Sequence, residues 1–306
     1  MSEPIKSNEL FLSRIYDAQV KQVWDAWVDP HQVAQWWGPR GFTITTVRKD
    51  VRAGGDWLYT MHGPDGVDYP NHTHFLEVDR YQRLVYDHGG FEDKPPLFRV
   101  RVSFTDLNGK TKMDMTMAFA TAEQAAESTW DRLAEYLEKQ SSGKEVFVIN
   151  RSFDVELKTL FEAWTQPNQV MNWTPPVGFT GKYLSADIRP GGESFYVMTG
   201  NGISMYGKAK YLELTHLSRL VYTQRFADQN GNTSRHPMAP TWPEVLRTTA
   251  SFYEEGPKKS RITLQWEVYG EATQEEHDTF KGAKSGMAKG WTGSFDQLEE
   301  YLKQMK

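Results

Sequence analysis

One plan occurs twice in this sequence, and the duplication constrains the fold more than any other feature. The stretch RIYDAQVKQVWDAWVDPHQVAQWW from Arg14 aligns with RSFDVELKTLFEAWTQPNQVMNWT from Arg151, 137 residues later. The same offset places DVRAGGDWLYTM over DIRPGGESFYVM. A period of this size indicates a tandem duplication of a whole domain rather than a solenoid of short repeats. We therefore predict two domains, residues 1–140 and 145–306, joined by the short polar linker Gln140–Lys144.

The composition of the chain excludes several classes of protein. The 306 residues are 39% hydrophobic, carry a net charge of −5 and include no cysteine, so disulfides, thiolate catalysis and cysteine-ligated metals are excluded. An acidic chain disfavours general nucleic-acid binding, because phosphate contacts need a basic face. The longest apolar runs have the length of a strand, so we expect no membrane insertion. The polar N-terminus has no signal-peptide core, and we therefore expect a cytoplasmic location.

Each copy follows the same order of elements. A strand comes first, and then two short helices, the second opening at a proline that Asp29 or Gln166 precedes. Proline at the first helical position loses no hydrogen bond, and aspartate is a good N-cap. Glycine- and proline-rich turns then separate further strands, and an apolar stripe at helical spacing ends each copy. The stripes contain Ala126, Trp130, Leu133 and Leu137 in the first copy, and Phe280, Met287, Trp291, Phe295, Leu298 and Leu302 in the second.

The last strand of each copy alternates apolar and polar residues, which indicates an antiparallel sheet with one buried face. The closing helix is the large apolar partner available to that face, and each large side chain buried there contributes about 2 kcal/mol. We therefore predict an α+β fold of two domains. In each, a curved antiparallel sheet wraps a long C-terminal helix, and two short helices follow the first strand. The alternating residues are Met113, Met115, Met117 and Phe119 in the first copy, and Ile262, Leu264, Trp266 and Val268 in the second.

Four segments of the second copy carry a resemblance to a known family: RSFDVELKTLFEAWTQPNQVMNW, IRPGGESFYV, YLELTHLSRLVYT and GMAKGWTGSFDQLEEYL. They resemble the family named after the activator of the 90-kDa heat-shock protein's ATPase, within the START-like superfamily of helix-grip folds. The resemblance implies a cavity between the sheet and the long helix. Family members and relatives bind lipids, hormones or polyketides, cyclise aromatic products, or serve as co-chaperone modules. The first copy lacks the Gly290-Trp291 pair, so we expect a shorter closing helix there and a pocket that is either altered or collapsed.

Glycines on the closing helix of the second copy favour a pocket. Gly282, Gly286, Gly290 and Gly293 fall on one side, each costing the helix about 1 kcal/mol relative to alanine. Two explanations stay open: close packing against another backbone, or space left for a ligand. Tyrosine, tryptophan and methionine around such a space suit a flat, mostly apolar ligand. The predicted lining residues are Trp173, Tyr196, Met198, Trp242, Trp266, Met287, Gly290 and Trp291, with Trp36, Tyr59, Met61 and Met115 as counterparts in the first copy.

An insertion is found in the second copy alone, from Ala227 to Glu244. It is rich in glycine, proline, asparagine and serine, which indicates a loop, and loops of this length in compact domains are often functional. Trp242 and Met238 are its expected apolar anchors. A lid over the mouth of the pocket and a loop merely pinned to the surface are both consistent with this pattern.

Polar groups that recur in both copies are the candidates for catalysis. Arg14 with Glu77, and Arg151 with Glu213, occupy equivalent positions, and a buried carboxylate beside an arginine can do acid–base work. A structural ion pair is the alternative for each. No nucleophile-elbow, P-loop, zinc-protease or dinucleotide-binding motif is present. The stretch NHTH places two histidines on one strand face, but the second copy has lysines nearby, so we expect neither a metal site nor a cofactor.

Three functions remain open from the sequence. Binding of a small hydrophobic or aromatic molecule, mainly in the second domain, is the leading hypothesis. A cyclase, dehydratase or hydrolase that uses the same cavity is the second. The third, which rests on the resemblance, is an interaction module for a protein partner such as a chaperone.

Overall fold

The fold was analysed in a computed structural model, which describes residues 9–89, 95–118 and 123–305. The chain divides into two compact units, one ending at Gly143 and one beginning at Lys144. The boundary falls inside the predicted linker, but the linker is shorter than predicted. The helix that closes the first unit continues through Ser142, where two serine hydroxyls donate to the Glu138 carbonyl oxygen, and Gly143 ends it with φ +74°.

The first unit contains a seven-stranded antiparallel sheet in the order β1-β7-β6-β5-β4-β3-β2. Its neighbouring strands from β2 to β7 are consecutive in the chain, and β1 joins the far edge beside β7. The predicted alternation on the last strand is confirmed for Met113, Met115 and Met117, which are all buried, while Phe119 lies outside the described residues. The strands are β1 Leu10–Tyr16, β2 Thr43–Lys49, β3 Asp56–His62, β4 Asp68–Asp79, β5 Arg83–Gly89, β6 Pro96–Asp106 and β7 Thr111–Met117.

Three helices cover the buried face of this sheet: α1 Val20–Val28, α2 Pro30–Trp36 and α3 Glu123–Ser142. The predicted cap of α2 is confirmed, because the Asp29 carboxylate accepts from the backbone N–H groups of His31 and Gln32 at 2.8 and 3.1 Å. The apolar stripe of α3 packs onto the sheet as predicted, with Trp130, Leu133 and Leu137 buried.

The second unit repeats this topology, with a sheet in the order β8-β14-β13-β12-β11-β10-β9. The predicted architecture, an α+β fold with two antiparallel sheets that each hold a closing helix, is therefore confirmed. No helix in the described ranges is long and apolar enough to cross a membrane. The elements are β8 Val146–Phe153, α4 Leu157–Thr165, α5 Pro167–Val170, β9 Thr180–Ser185, β10 Glu193–Gly200, β11 Ile203–Thr215, β12 Arg219–Ala227, β13 Leu246–Gly256, β14 Lys259–Val268, α6 Gln274–Gly282 and α7 Lys284–Lys303.

The closing helix of the second unit differs from expectation. It is broken at Ala283 into α6 and α7, so Gly282 ends one helix and the other three glycines lie on the next. The first copy's closing helix is not shorter than its counterpart, since α3 and α7 both have 20 residues. The second unit instead has α6 in addition. Thr273 caps α6 through a capping box with Glu276.

Strand pairing fixes which residues of the two units correspond. Trp266 pairs with Phe147 on β8, and Met117 pairs with Leu10 on β1, the residue 137 positions before Phe147. Met117 is therefore the counterpart of Trp266. The expected counterpart, Met115, is wrong by two positions and corresponds instead to Leu264.

Candidate binding cavity

A cavity of about 390 Å³ lies in the second unit between the sheet and α7. Strands β9 to β14 form its floor, α7 forms its roof, and the turn that follows α5 closes one end. The structure places all eight residues predicted for this domain on its wall: Trp173, Tyr196, Met198, Trp242, Trp266, Met287, Gly290 and Trp291.

Helix α7 presents Met287, Gly290 and Trp291 to the cavity, because residues three and four apart share one helix face. A Cβ atom added at Gly290 or Gly286 would meet nothing within 4 Å, so these glycines do not serve close packing against another backbone. Only Gly293 has a neighbour, since its Cβ would lie 3.4 Å from the side chain of Val177. The open space at Gly290 favours the second explanation of the glycine face, room beside the helix.

Tryptophan side chains from the repeated region of the two short helices close one end of the cavity. Trp173 is fully buried, and its indole Nε1 donates to the carbonyl oxygen of Ala163 at 3.0 Å. Trp164 lies between Trp173 and Trp291, stacked on the latter with ring centroids 5.9 Å apart. Trp173 lies in a turn after α5, which ends at Val170, and not on this short helix itself.

Four tyrosines line the cavity: Tyr183 on β9, Tyr196 on β10, Tyr211 on β11 and Tyr222 on β12. Burial raises the pKa of each phenol, that of Tyr196 to about 12, so all four are uncharged at neutral pH. The Tyr211 hydroxyl donates to the Ser194 hydroxyl at 3.1 Å. Sequence reasoning found Tyr196 alone. The alternation YLEL and RLVYTQ on β11 and β12 was the signal that could have found Tyr211 and Tyr222.

The inserted loop of the second unit contributes the side of the cavity nearest α6. His236, Trp242, Pro243 and Glu244 all lie on the cavity wall. The loop is fastened to α6, because Thr241 and Thr279 are joined by a hydroxyl–hydroxyl hydrogen bond of 3.0 Å.

Two further contacts of the loop bear on its predicted anchors. Arg235 forms an ion pair with Glu276 of α6, and Trp242 packs on Phe280 with centroids 6.2 Å apart. The predicted anchor Met238 is wrong, since its side chain is 71% exposed. Trp242 is therefore the apolar anchor of the loop.

The predicted pair of Arg14 with Glu77 does not form. Arg14 on β1 is buried and donates to Glu127 of α3 at 3.0 Å, while Glu77 on β4 pairs with Arg83 on β5 at 3.5 Å. Three strands separate β1 from β4, a span of about 19 Å at normal strand spacing. A bulge after Phe75 also turns Glu77 to the exposed side.

The second predicted pair fails for the same reason. Arg151 on β8 donates to Asp296 and Glu299 of α7 at 3.0 and 2.8 Å. Glu213 on β11 pairs with Arg219 at 3.2 Å, again after a bulge, and three strands lie between β11 and β8. None of the four groups proposed for acid–base work lines the cavity.

The corresponding space in the first unit is filled. Trp36, Tyr59 and Met115 are buried in the core, and Met61 packs against it. A hollow in the described part of this unit has a volume of about 10 Å³, and none of these four residues lines it. The prediction that they line a ligand pocket is therefore wrong, because Trp37 and Trp57 fill the space.

Three histidines of the first unit pair with carboxylates of the protein. Asp56 accepts from His72 at 2.9 Å and from His74 at 2.8 Å, and His62 bonds to Asp68 at 2.7 Å. Over the described residues, no group of three histidine, aspartate or glutamate side chains is arranged to hold a metal ion.

Comparison with known proteins assigns the family. A family model described as "Activator of Hsp90 ATPase homolog 1-like protein" matches residues 17–139 and again residues 154–303. The chain belongs to this family. Both units are members, as the resemblance implied. No curated protein matches the chain.

Solved structures of similar chains each cover about half of this one. Protein Ms6760 from Mycobacterium smegmatis is 20% identical over 51% of this chain and 90% of its own, with a TM-score of 0.43. A protein from Arthrobacter aurescens is 23% identical over 52% and 86%, with a TM-score of 0.45. The AHSA1 protein from Silicibacter pomeroyi is 16% identical over 53% and 99%, with a TM-score of 0.41.

Proposed function

We propose that the second domain binds a small, mostly apolar aromatic molecule in the cavity beneath α7. The observation that carries the proposal is the cavity itself, whose volume falls within the usual range for small-molecule sites of about 300–1,000 Å³. Its wall combines indole and phenol rings with methionines, which contact flat ligands of irregular outline well. The inserted loop, fastened to α6, serves as the lid of this site.

Binding fits the cavity better than catalysis does. The charged groups on the wall are Arg225 and Glu244, which have ion-pair partners at 3.9 Å in Glu193 and Arg235. Burial lowers the pKa of His236, which keeps this imidazole neutral. The arginine and carboxylate groups that the sequence proposed for acid–base work all lie outside the cavity. A neutral, aromatic ligand held by shape and a few hydrogen bonds suits such a wall.

Two glycines of α7 give a matched test. Gly290 lines the cavity and Gly286, one helical turn earlier, does not, while a Cβ at either position meets open space. We expect Gly290→Leu to weaken binding of the uncharged dye N-phenyl-1-naphthylamine by at least about tenfold, since the new side chain enters the ligand's space. Gly286→Leu, the control, should leave the dissociation constant unchanged while gaining the same helix propensity.

Fluorescence titration measures both constants, and melting temperatures verify that the variants fold. Equal affinity in the two variants would place the dye elsewhere and contradict the proposal. Native mass spectrometry of the protein purified from its own host would then identify a retained ligand by its mass.

An interaction with a chaperone is the second candidate. It is favoured because both domains match a family whose description refers to an activator of the Hsp90 ATPase. The ATPase rate of Hsp90, measured with and without an excess of this chain, tests it. A rate that does not change would contradict this function and leave the cavity proposal untouched.

A further inference from the structure

The first domain shows what fills the space that is open in the second. Trp37 directly follows α2, and its indole Nε1 donates to the phenol oxygen of Tyr59 at 3.1 Å. Its ring packs edge-on against Trp57 and Trp27, with centroids 5.0 and 5.4 Å away. A ring N–H and a flat bicyclic surface are therefore both used at this position.

The second domain has small residues at the two equivalent positions. At the offset of 137 residues, Trp37 corresponds to Thr174 and Trp57 corresponds to Ser194. The Thr174 side chain lies on the cavity wall, and its hydroxyl donates to the carbonyl oxygen of Val170. The Ser194 hydroxyl accepts from Tyr211. Neither residue replaces the indole or its N–H group.

Tyr196, the counterpart of Tyr59, is left without the donor that Tyr59 has. Its phenol lies on the cavity wall and forms no hydrogen bond with the described residues. Gly207 lets the phenol end of this ring lie directly against β11, where any Cβ atom would overlap it. The ring is thus held to the floor of the cavity with its oxygen free to accept, and an unpaired polar group in such a site favours a ligand that pairs with it.

We infer that the ligand of the second domain is a planar fused-ring molecule with a ring N–H, as in indole. It takes the place that the Trp37 side chain has in the first domain and donates to the phenol oxygen of Tyr196. This inference rests on the proposed binding function and names the ligand class for that site.

Indole and benzothiophene test the inference as a pair, because they have nearly the same shape and only indole has an N–H group. Calorimetric titration gives the dissociation constant of each for the full-length protein. The ratio of the two constants isolates the N–H group from the apolar contact. In Tyr196→Phe we expect the preference for indole to fall about fivefold, the usual size of one neutral hydrogen bond.

Tyr222→Phe is the matched control, since Tyr222 is a second phenol on the cavity wall whose counterpart, Tyr86, is not bonded to an indole. It should leave the ratio unchanged. Thr174→Trp rebuilds the arrangement of the first domain from within the chain. We expect it to weaken both probes at least about tenfold, because the new indole occupies their place.

The outcomes separate the two proposals. If both probes bind with a ratio that Tyr196→Phe leaves unchanged, the N–H inference is overturned and the binding function stands. If Thr174→Trp binds both probes like the wild type, the assigned position is wrong. If neither these probes nor the uncharged naphthylamine dye bind at all, the binding function fails and the inference fails with it.

Discussion

The region of the two short helices is built in the same way in both domains. The indole Nε1 of Trp36 donates to Ala26, and that of Trp173 donates to Ala163, at 3.0 Å in both domains. The closing helices also hold the next loop in the same way. Arg132 donates to the carbonyl oxygen of Gly38 at 2.9 Å in the first domain, and a glutamine of α7 does so to the Pro175 oxygen in the second. These shared contacts give both domains one frame.

Within this shared fold, the two domains differ in the size of the side chains at two equivalent positions. In the first domain Trp57 stacks on Tyr59 with centroids 4.1 Å apart, Trp37 packs edge-on against Trp57, and the space is filled. Thr174 and Ser194 stand at the equivalent places of the second domain, and a cavity remains there. The comparison teaches that the fold does not need the cavity. One copy uses the space for its own stability, and the other leaves it open.

Trp57→Ser would break this comparison most severely. It gives the first domain the residue of the second, but Phe75 replaces the tyrosine that donates to Ser194, so the new hydroxyl would be left without a partner. We expect the first domain to lose about 4 kcal/mol, the usual cost of removing a buried tryptophan. Hydrogen exchange of the amides of β3 and β5 reports the stability of this domain separately from the other.

Ser194→Ala in the second domain is the control for that change, and it should cost only about 1 kcal/mol for one lost hydrogen bond. A loss in Trp57→Ser no larger than in the control would show that the tryptophan is dispensable. The filled core would then not explain the absence of a comparable cavity from the described part of the first domain.

A smaller difference between the domains is how the stability of each depends on pH in the acidic range. His88 on β5 stacks on Phe98 with centroids 4.9 Å apart, and burial lowers its pKa to about 4. Its counterpart in the second domain is Gln224, which does not titrate. Because the folded-state pKa lies below the usual 6.5, the unfolded chain binds more protons between pH 6.5 and 4, and stability falls as the pH falls through this window.

His88→Gln therefore sharpens the comparison by giving the first domain the glutamine of the second. The variant loses the ring contact at pH 7, but it should regain on the order of 2 kcal/mol relative to the wild type at pH 4. Denaturant unfolding of both proteins at the two pH values measures this change. A difference between the proteins that does not vary with pH would mean that the imidazole is not buried in its neutral form.

Much of the fold could be predicted because the repeat and the two-residue alternation are local patterns. The order of elements along each copy, the capped helix at Pro30 and the helix across each sheet follow from them. The arginine–glutamate pairs could not be found in this way. Their recurrence in both copies reflected equivalent places on the sheet, and the strand order that separates β1 from β4 is not a local property.

The site was predicted in part, and its limits have a physical cause. Large aromatic residues at strand and helix spacing identify the wall of an interior, whether that interior is filled or open. The eight lining residues of the second domain were found for this reason, and Tyr59 and Met115 were mistaken for lining residues for the same reason. Whether such an interior is filled or open depends on whether small residues replace large ones at some of its positions. The alignment of the two copies places Thr174 against Trp37, and this difference in size could have predicted which domain has the open cavity.

Gly207→Ala gives the smallest effect and bears on why the second domain keeps its space. In the first domain the equivalent position on β4 is Asn71, which has a Cβ atom, and Tyr59 stacks on Trp57 instead of lying on the strand. In the second domain an alanine Cβ would overlap the Tyr196 ring, which must then turn toward the cavity. We expect a loss of about 1 kcal/mol, since overpacking of this kind forces a side chain to move.

Asn71→Ala is the matched control and should change stability by less than about 0.5 kcal/mol, because it removes only a partly exposed side chain. Thermal unfolding measures both, and the near-ultraviolet dichroism of the tyrosines should change in Gly207→Ala alone. If Gly207→Ala is as stable as the wild type with an unaltered spectrum, the Tyr196 ring does not rest on β11. The cavity would then owe its opening to Thr174 and Ser194 without help from the glycine.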